Sequence, residues 1–241
     1  AAVVETGGIY AIGPQGEGRI IFKSEETHVL CLRKSGRGDV IAGSGGNGLV
    51  YRISPEGRAT VIYETPYEEV RSLAVDRDGT IYAAASGTPT KVRRETPLVI
   101  PAAAQPARAA GVTVTVSAAG AVSAPEVESA AGRDSGALYR VSNDGIAKML
   151  WSSTDEMVYT VVLKDGDGKV IFGTGSKGRI YSVDKAGNTA LLLQQNAEQV
   201  FLLAPLDSKV YVLSNNPSLL GQLMRSEQHT SELQSHLNID C

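Results

Sequence analysis

Apolar residues recur along this chain in runs of five to seven, separated by turns rich in Gly, Asp and Asn. Runs such as "VRSLAVD", "TIYAAAS", "LVYRIS" and "ATVIYET" are typical of buried and half-buried β-strands. The glycines of "SPEG", "SNDG" and "DKAG" stand where a reversing chain needs a residue that tolerates positive φ. No helix-period pattern competes, so the sequence predicts an all-β protein.

The strand pattern repeats. The segments "GGIYAIGPQG", "GLVYRISPEG", "GALYRVSNDG" and "GRIYSVDKAG" align without gaps, and a valine follows nineteen residues after each tyrosine. We name these the register tyrosines (Tyr10, Tyr51, Tyr139, Tyr181) and the register valines (Val29, Val70, Val158, Val200). Each copy resolves into four short strands, lettered A to D, with the valine in A and the tyrosine in C. A unit of about 42 residues with four antiparallel strands is the signature of a β-propeller blade.

One copy is interrupted. The register tyrosines are spaced by 41, 88 and 42 residues, so about 47 extra residues fall between strands B and C, at 88–135. This stretch holds five of the ten prolines and no aromatic residue. Since it cannot build a core of its own, we expect an extended, largely disordered loop beside the B–C connections.

The chain therefore divides into blades at 1–87, the insertion at 88–135, further blades at 136–220 and a tail at 221–241. About four blade equivalents are present, and we expect them to be part of a larger propeller. The chain opens late in a strand B and, on this interpretation, ends its repeats with an A and B pair. The two ends would then be complementary halves of one blade, unless the chain is a fragment cut in mid-blade.

The tail departs from the repeat. "RSEQHTSELQSH", from Arg225 to His236, resembles the translation of a common DNA-sequencing adapter at every position but Gln228. It also follows strand B where a strand C with its tyrosine is due. We therefore expect the tail to be non-native or disordered. The competing hypothesis is a metal site of His229, His236 and Cys241, whose spacing matches no standard zinc pattern.

The formal net charge is −3 and the pI is about 5.7, so the chain lacks the basic footprint of a nucleic-acid-binding protein. No apolar run approaches the roughly 18 to 20 residues that a membrane-spanning helix needs.

Candidate binding residues gather at the D–A connections, which a propeller places with the B–C connections around one mouth of its central channel. These residues are Glu26, Glu68, Glu69, Asp155, Glu156 and Glu198. Clustered carboxylates could attract a hard cation such as Ca²⁺ or a basic peptide. The competing interpretation is that exposed turns between strands carry charge for solubility.

The blade text "EVRSLAVDRDGTIYAAASG", followed by "GALYRVSNDG", resembles the repeats of bacterial NHL-like and WD-like propellers. The resemblance implies the fold and often export, but leaves the function open. Streptogramin-lyase-like propellers are similar in blade pattern but rely on histidine, and only His28 lies outside the tail. Gluconolactonase-like propellers hold a divalent ion in the channel, which Glu68, Glu156 and Glu198 could imitate by turning inward.

The leading hypothesis is a non-enzymatic module that binds a protein, peptide or glycan on its acidic face. The alternative is a metal-dependent hydrolase of lactonase type, with the cation at the same mouth. No other cofactor and no catalytic residue is predicted.

Overall fold

The computed structural model describes residues 2–4, 7–89, 135–164, 168–207 and 209–223. Within these residues every regular element is a β-strand and every pairing is antiparallel. No helix able to cross a membrane occurs in this part of the chain. The strands are β1 (Ala2–Val4), β2 (Gly8–Ile12), β3 (Gly18–Lys23), β4 (His28–Lys34), β5 (Val40–Gly45), β6 (Leu49–Ile53), β7 (Ala59–Glu64), β8 (Tyr67–Val75), β9 (Ile81–Pro89), β10 (Gly136–Val141), β11 (Ala147–Ser153), β12 (Val158–Leu163), β13 (Val170–Thr174), β14 (Arg179–Val183), β15 (Thr189–Gln194), β16 (Gln199–Leu206), β17 (Lys209–Asn215) and β18 (Leu219–Leu223).

The strands form five successive units in which each strand pairs with the next along the chain. Units 1 to 5 are β1–β3, β4–β7, β8–β11, β12–β15 and β16–β18. Units 2 and 3 join into one eight-stranded sheet through a single pair, Gly45 with Glu69. The A strands β4, β8, β12 and β16 contact one another in succession, so the units share one inner edge.

The repeat register is visible as identical β-bulges. Each A strand skips one residue in its pairing with strand B, directly after the register valine. The D strands are β3, β7, β11 and β15. Each of them skips one residue in its pairing with strand C, directly beside the register tyrosine. The sequence repeat therefore corresponds to a repeat of backbone geometry, since a bulge fixes the position and twist of a strand pair.

Aromatic pairs join units 1 to 4 in succession. An aromatic side chain of strand D contacts the register tyrosine in strand C of the following unit at three junctions. The ring centroids are 5.3 Å apart for Phe22 and Tyr51, 5.4 Å for Tyr63 and Tyr139, and 5.5 Å for Trp151 and Tyr181. Such tilted pairs add to the free energy of burial because the positive edge of one ring meets the negative face of the other.

The register valines pack at unit junctions against a residue without bulk. A Cβ atom built on Gly43 would lie 2.7 Å from Cγ1 of Val70, and one on Gly173 would lie 2.4 Å from Cγ1 of Val200. Both valines are fully buried. Strand B must therefore carry a small residue at this position for the next unit to approach.

Two expectations about the ends are wrong. A third strand, β18, pairs with β17 although it has no tyrosine, and Gly221 stands at the register position. Units 1 and 5 form separate sheets and are not complementary halves of one blade. The adapter-like segment lies outside the described residues.

The insertion leaves from a B–C connection, because β9 pairs with β10 on either side of it. The amide of Gly87 donates to the carbonyl of Ser135 (3.0 Å), whose hydroxyl donates back to the carbonyl of Gly87 (2.7 Å). Residues 90–134 lie outside the described part of the chain.

We expect Tyr139→Ala to lower the free energy of unfolding by about 3 kcal/mol, because it removes a buried ring at a unit junction. Tyr10→Ala is the matched control. It changes the register tyrosine of unit 1, which is only half-buried and packs on no other ring among the described residues, and it should cost about 1 kcal/mol. Urea denaturation measures both, and equal losses would contradict the role of the aromatic pair.

Candidate functional site

Four of the six predicted carboxylates reach from the D–A side of the mouth to the B–C side of their own unit. Glu26 accepts hydrogen bonds from the backbone amide (3.0 Å) and side-chain amide (2.9 Å) of Asn47. Glu198 accepts one from the side chain of Asn216 (3.0 Å). Glu68 accepts one from the amide of Thr88 (3.3 Å), and Asp155 pairs with Lys177. These contacts connect the D–A and B–C loops of units 2 to 5, and we call the carboxylates on these loops the rim carboxylates.

Glu156 is the buried member of the set, with 3% of its surface exposed. Its carboxylate pairs with Nη1 of Arg179 (2.7 Å) and accepts hydrogen bonds from the hydroxyls of Thr174 (2.8 Å) and Tyr181 (3.4 Å). Burial raises the pKa of Tyr181, so its hydroxyl remains a donor. The charge of Glu156 is thus neutralised within unit 4.

The rim is less acidic than its sequence indicates. Lys177 donates to Asp155 and holds the pKa of that carboxyl below its usual range. Within the described ranges, no group of three His, Cys, Asp or Glu side chains is placed to hold a metal ion. In the described part of the chain, four of these carboxylates therefore lie in separate pairs with other loops.

Glu69 differs from the other five because it lies within an A strand, β8, directly before the register valine Val70. It belongs to a set that we name the inner row: the residues directly before and after each register valine. While the valines are buried, the flanking side chains are half-buried or exposed, so they lie on the opposite surface of strand A. The inner row comprises His28, Leu30, Glu69, Arg71, Met157, Tyr159, Gln199 and Phe201.

The inner row is connected across units 3, 4 and 5. Nη2 of Arg71 lies 2.6 Å from Oε2 of Glu69, and its guanidinium carbon lies 4.9 Å from the ring centroid of Tyr159. The hydroxyl of Tyr159 accepts a hydrogen bond from the side-chain amide of Gln199 (3.3 Å). Two apolar members, Leu30 and Phe201, are 40% and 51% exposed.

One pair in the row is incompletely satisfied. Although Glu69 and Arg71 are in contact, neither Oε2 of Glu69 nor Nε of Arg71 has a hydrogen bond of good geometry within the described residues. Both atoms are shielded from solvent, and a buried polar atom without such a bond costs free energy.

Sequence reasoning missed Arg71, Tyr159 and Phe201. The available signal was their position one residue after a register valine, since strand alternation makes that residue face away from the buried valine. The same residue is skipped in the pairing with strand B, and this β-bulge has no signature in the sequence.

No protein-family model and no curated protein sequence matches the chain. Several solved structures do. The virginiamycin B lyase of Staphylococcus aureus superimposes with a TM-score of 0.65 at 11% identity, over 98% of this chain and 64% of that one. A chain of the nidogen/laminin complex gives a TM-score of 0.61 at 13% identity, over 92% and 72%. The regucalcin of Agrobacterium tumefaciens gives 0.54 at 14% identity, over 86% and 62%.

The chain thus spans less than two thirds of the lyase and regucalcin chains that it matches. Since these proteins are β-propellers, the likeness confirms the all-β, propeller-like fold, and the number of blades stays a prediction. At such low identity it shows the fold alone.

We expect Glu156→Gln to lower the free energy of unfolding by about 2 kcal/mol, because Arg179 loses its buried counter-charge. Glu198→Gln is the control at the same register position. Since Glu198 is exposed and keeps an acceptor for Asn216 as glutamine, it should cost less than about 0.5 kcal/mol. Urea denaturation measures the free energy of unfolding of both variants. Equal losses in the two would show that Glu156 behaves as a solvated surface charge and would contradict this prediction.

Proposed function

We propose that this protein is a non-enzymatic β-propeller module that binds a protein, peptide or glycan at the mouth formed by its D–A and B–C connections. The inner row is the contact surface. The observation that carries the proposal is that one row holds the exposed apolar side chains Leu30 and Phe201 together with a partly exposed ion pair, Glu69 with Arg71.

The chemistry of the row suits a ligand that combines a flat apolar part with a polar group. Phe201 and Leu30 offer apolar area, and an exposed ring can stack on a sugar or an aromatic side chain. Arg71, whose side chain is 31% exposed, can donate to a carboxylate or carbonyl of the ligand through its guanidinium group. Glu69 is exposed to the same extent and offers an acceptor to an amide or hydroxyl.

The structural neighbours include both binding modules and enzymes. One neighbour belongs to a nidogen/laminin complex, and another is virginiamycin B lyase. The likeness to these neighbours fits both a binding module and an enzyme, and we propose binding on the chemistry of the inner row.

An array of defined glycans and peptides identifies the ligand class, and the strongest binder is then titrated by calorimetry. Arg71→Gln and Phe201→Ser should each weaken its binding at least about tenfold, which corresponds to about 1.4 kcal/mol. Ile146→Ser is the control, because it removes another exposed apolar side chain from a C–D turn at the opposite end. Unchanged affinity in the two row variants, or turnover of the bound probe, would contradict the proposal.

The alternative is a metal-dependent hydrolase of lactonase type. One observation favours it: the neighbouring regucalcin is described as a calcium-binding protein. A cation would have to recruit the rim carboxylates away from their present partners, Asn47, Thr88, Lys177 and Asn216.

Calcium separates the two hypotheses. For the binding module we expect no melting shift in 1 mM CaCl₂ beyond that in 1 mM MgCl₂, since a specific site stabilises the native state by mass action. A calcium-specific rise that disappears in Glu68→Gln and Glu156→Gln would favour the hydrolase.

We also infer that the blades, about four equivalents, belong to a larger propeller. In unit 4 the face that covers unit 5 includes Thr160, Gly173 and Ile180, all buried. The equivalent residues of unit 5, Leu202, Leu213 and Leu220, are 44%, 36% and 63% exposed. This apolar face has the composition of a surface on which another sheet of the same kind packs.

A further inference from the structure

A cavity of about 310 Å³ lies at the end of the molecule opposite the inner row, at the junction of units 2 and 3. The A–B turns of both units form its walls, and strand C of unit 2 and the C–D turn of unit 3 complete it. Its polar lining includes three arginines, Arg37, Arg52 and Arg77, and two carboxylates, Asp39 and Asp78. The formal charge of this lining is therefore positive by one.

One arginine is fixed by the fold. Arg52 donates to the carbonyl (3.2 Å) and the side-chain oxygen (3.2 Å) of Asn143, and the amide nitrogen of Asn143 donates to the carbonyl of Asp78 (2.7 Å). Gly79 has a φ of +86°, and a Cβ atom there would lie 2.5 Å from the oxygen of Asn143. The floor of the cavity is thereby held rigid.

The next junction shows which part of this arrangement is structural. There Arg140, at the strand position of Arg52, donates to the carbonyl of Lys185, at the turn position of Asn143 (3.2 Å). The arginine clamp therefore joins units wherever it occurs, and it accounts for Arg52 at the first junction. It does not account for Arg37 and Arg77.

Arg37 and Arg77 are exposed, and their guanidinium groups form no hydrogen bond or ion pair with any described residue. Asp78 uses one carboxylate oxygen to accept the backbone amide of Thr80 (2.8 Å). Two free guanidinium groups beside a fixed third one are suited to oxyanions, since the planar fork of donors matches phosphate and sulfate oxygens.

We propose that this cavity binds a phosphate or sulfate group, either as the free anion or as a monoester of a larger ligand. Its volume exceeds what a bare anion fills, which leaves room for part of the molecule that carries the group. The site is separate from the inner row, so it stands whether or not the mouth binds a ligand.

Calorimetry with inorganic phosphate and with glucose 6-phosphate, at ionic strength held constant with NaCl, tests the site. Arg37→Gln and Arg77→Gln should each weaken phosphate binding at least about tenfold, because a charge-assisted bond is lost. Arg58→Gln is the matched control: its side chain is 85% exposed, lies on a C–D turn at the same end and pairs loosely with Glu56 (3.8 Å). It should bind phosphate like the unaltered protein.

Tighter binding of glucose 6-phosphate than of phosphate assigns a monoester, while equal affinity assigns the free anion. No heat of binding from either probe, or equal affinity in all three variants, overturns the proposal. Because both tested arginines are exposed, their variants should keep the melting temperature of the unaltered protein, and circular dichroism verifies that they are folded.

Discussion

The contact between an aromatic side chain of strand D and the register tyrosine of the next unit is the interaction on which the rest of the structure depends. A single four-stranded sheet cannot bury both of its faces, so each unit is stable only when its neighbours cover it. The ring pairs at three junctions set the separation of the units, at 5.3 to 5.5 Å between centroids. At the junction of units 2 and 3, where one of these ring pairs lies, strand B can carry only a small residue opposite the incoming valine, as Gly43 shows.

The fold could be predicted because its determinants are local and repeated. The tyrosine, the glycine six residues later and the valine nineteen residues later mark a strand, a turn and the next inner strand, and the structure repeats bulges at the same positions. The prediction failed at β18, where Gly221 replaces the tyrosine and the strand is recognisable only through its pairing with β17. Pairing between strands is a property of the folded chain, so a single segment could not show it.

The candidate site stays a prediction, and the partners of its side chains could not be found in the sequence. The predicted carboxylates lie at or beside the D–A connections. Their partners, such as Asn47, Lys177 and Asn216, come from loops 18 to 22 residues away in sequence, where no pattern identifies them. Glu156 shows the difficulty best, because its sequence setting is that of an exposed turn residue, yet it is 3% exposed. Its burial follows from Arg179, which reaches it across unit 4.

The repeat itself separates structural positions from those available for binding. Positions at which the copies agree, the valines and tyrosines, lie at the unit junctions, where any change disturbs two sheets. Positions beside them differ in every copy: the residue after the valine is Leu30, Arg71, Tyr159 or Phe201. A position that the fold required to be apolar would show one kind of side chain in all four copies. Because these four do not, the backbone of the inner strands constrains them little, and their chemistry is free to be matched to a ligand.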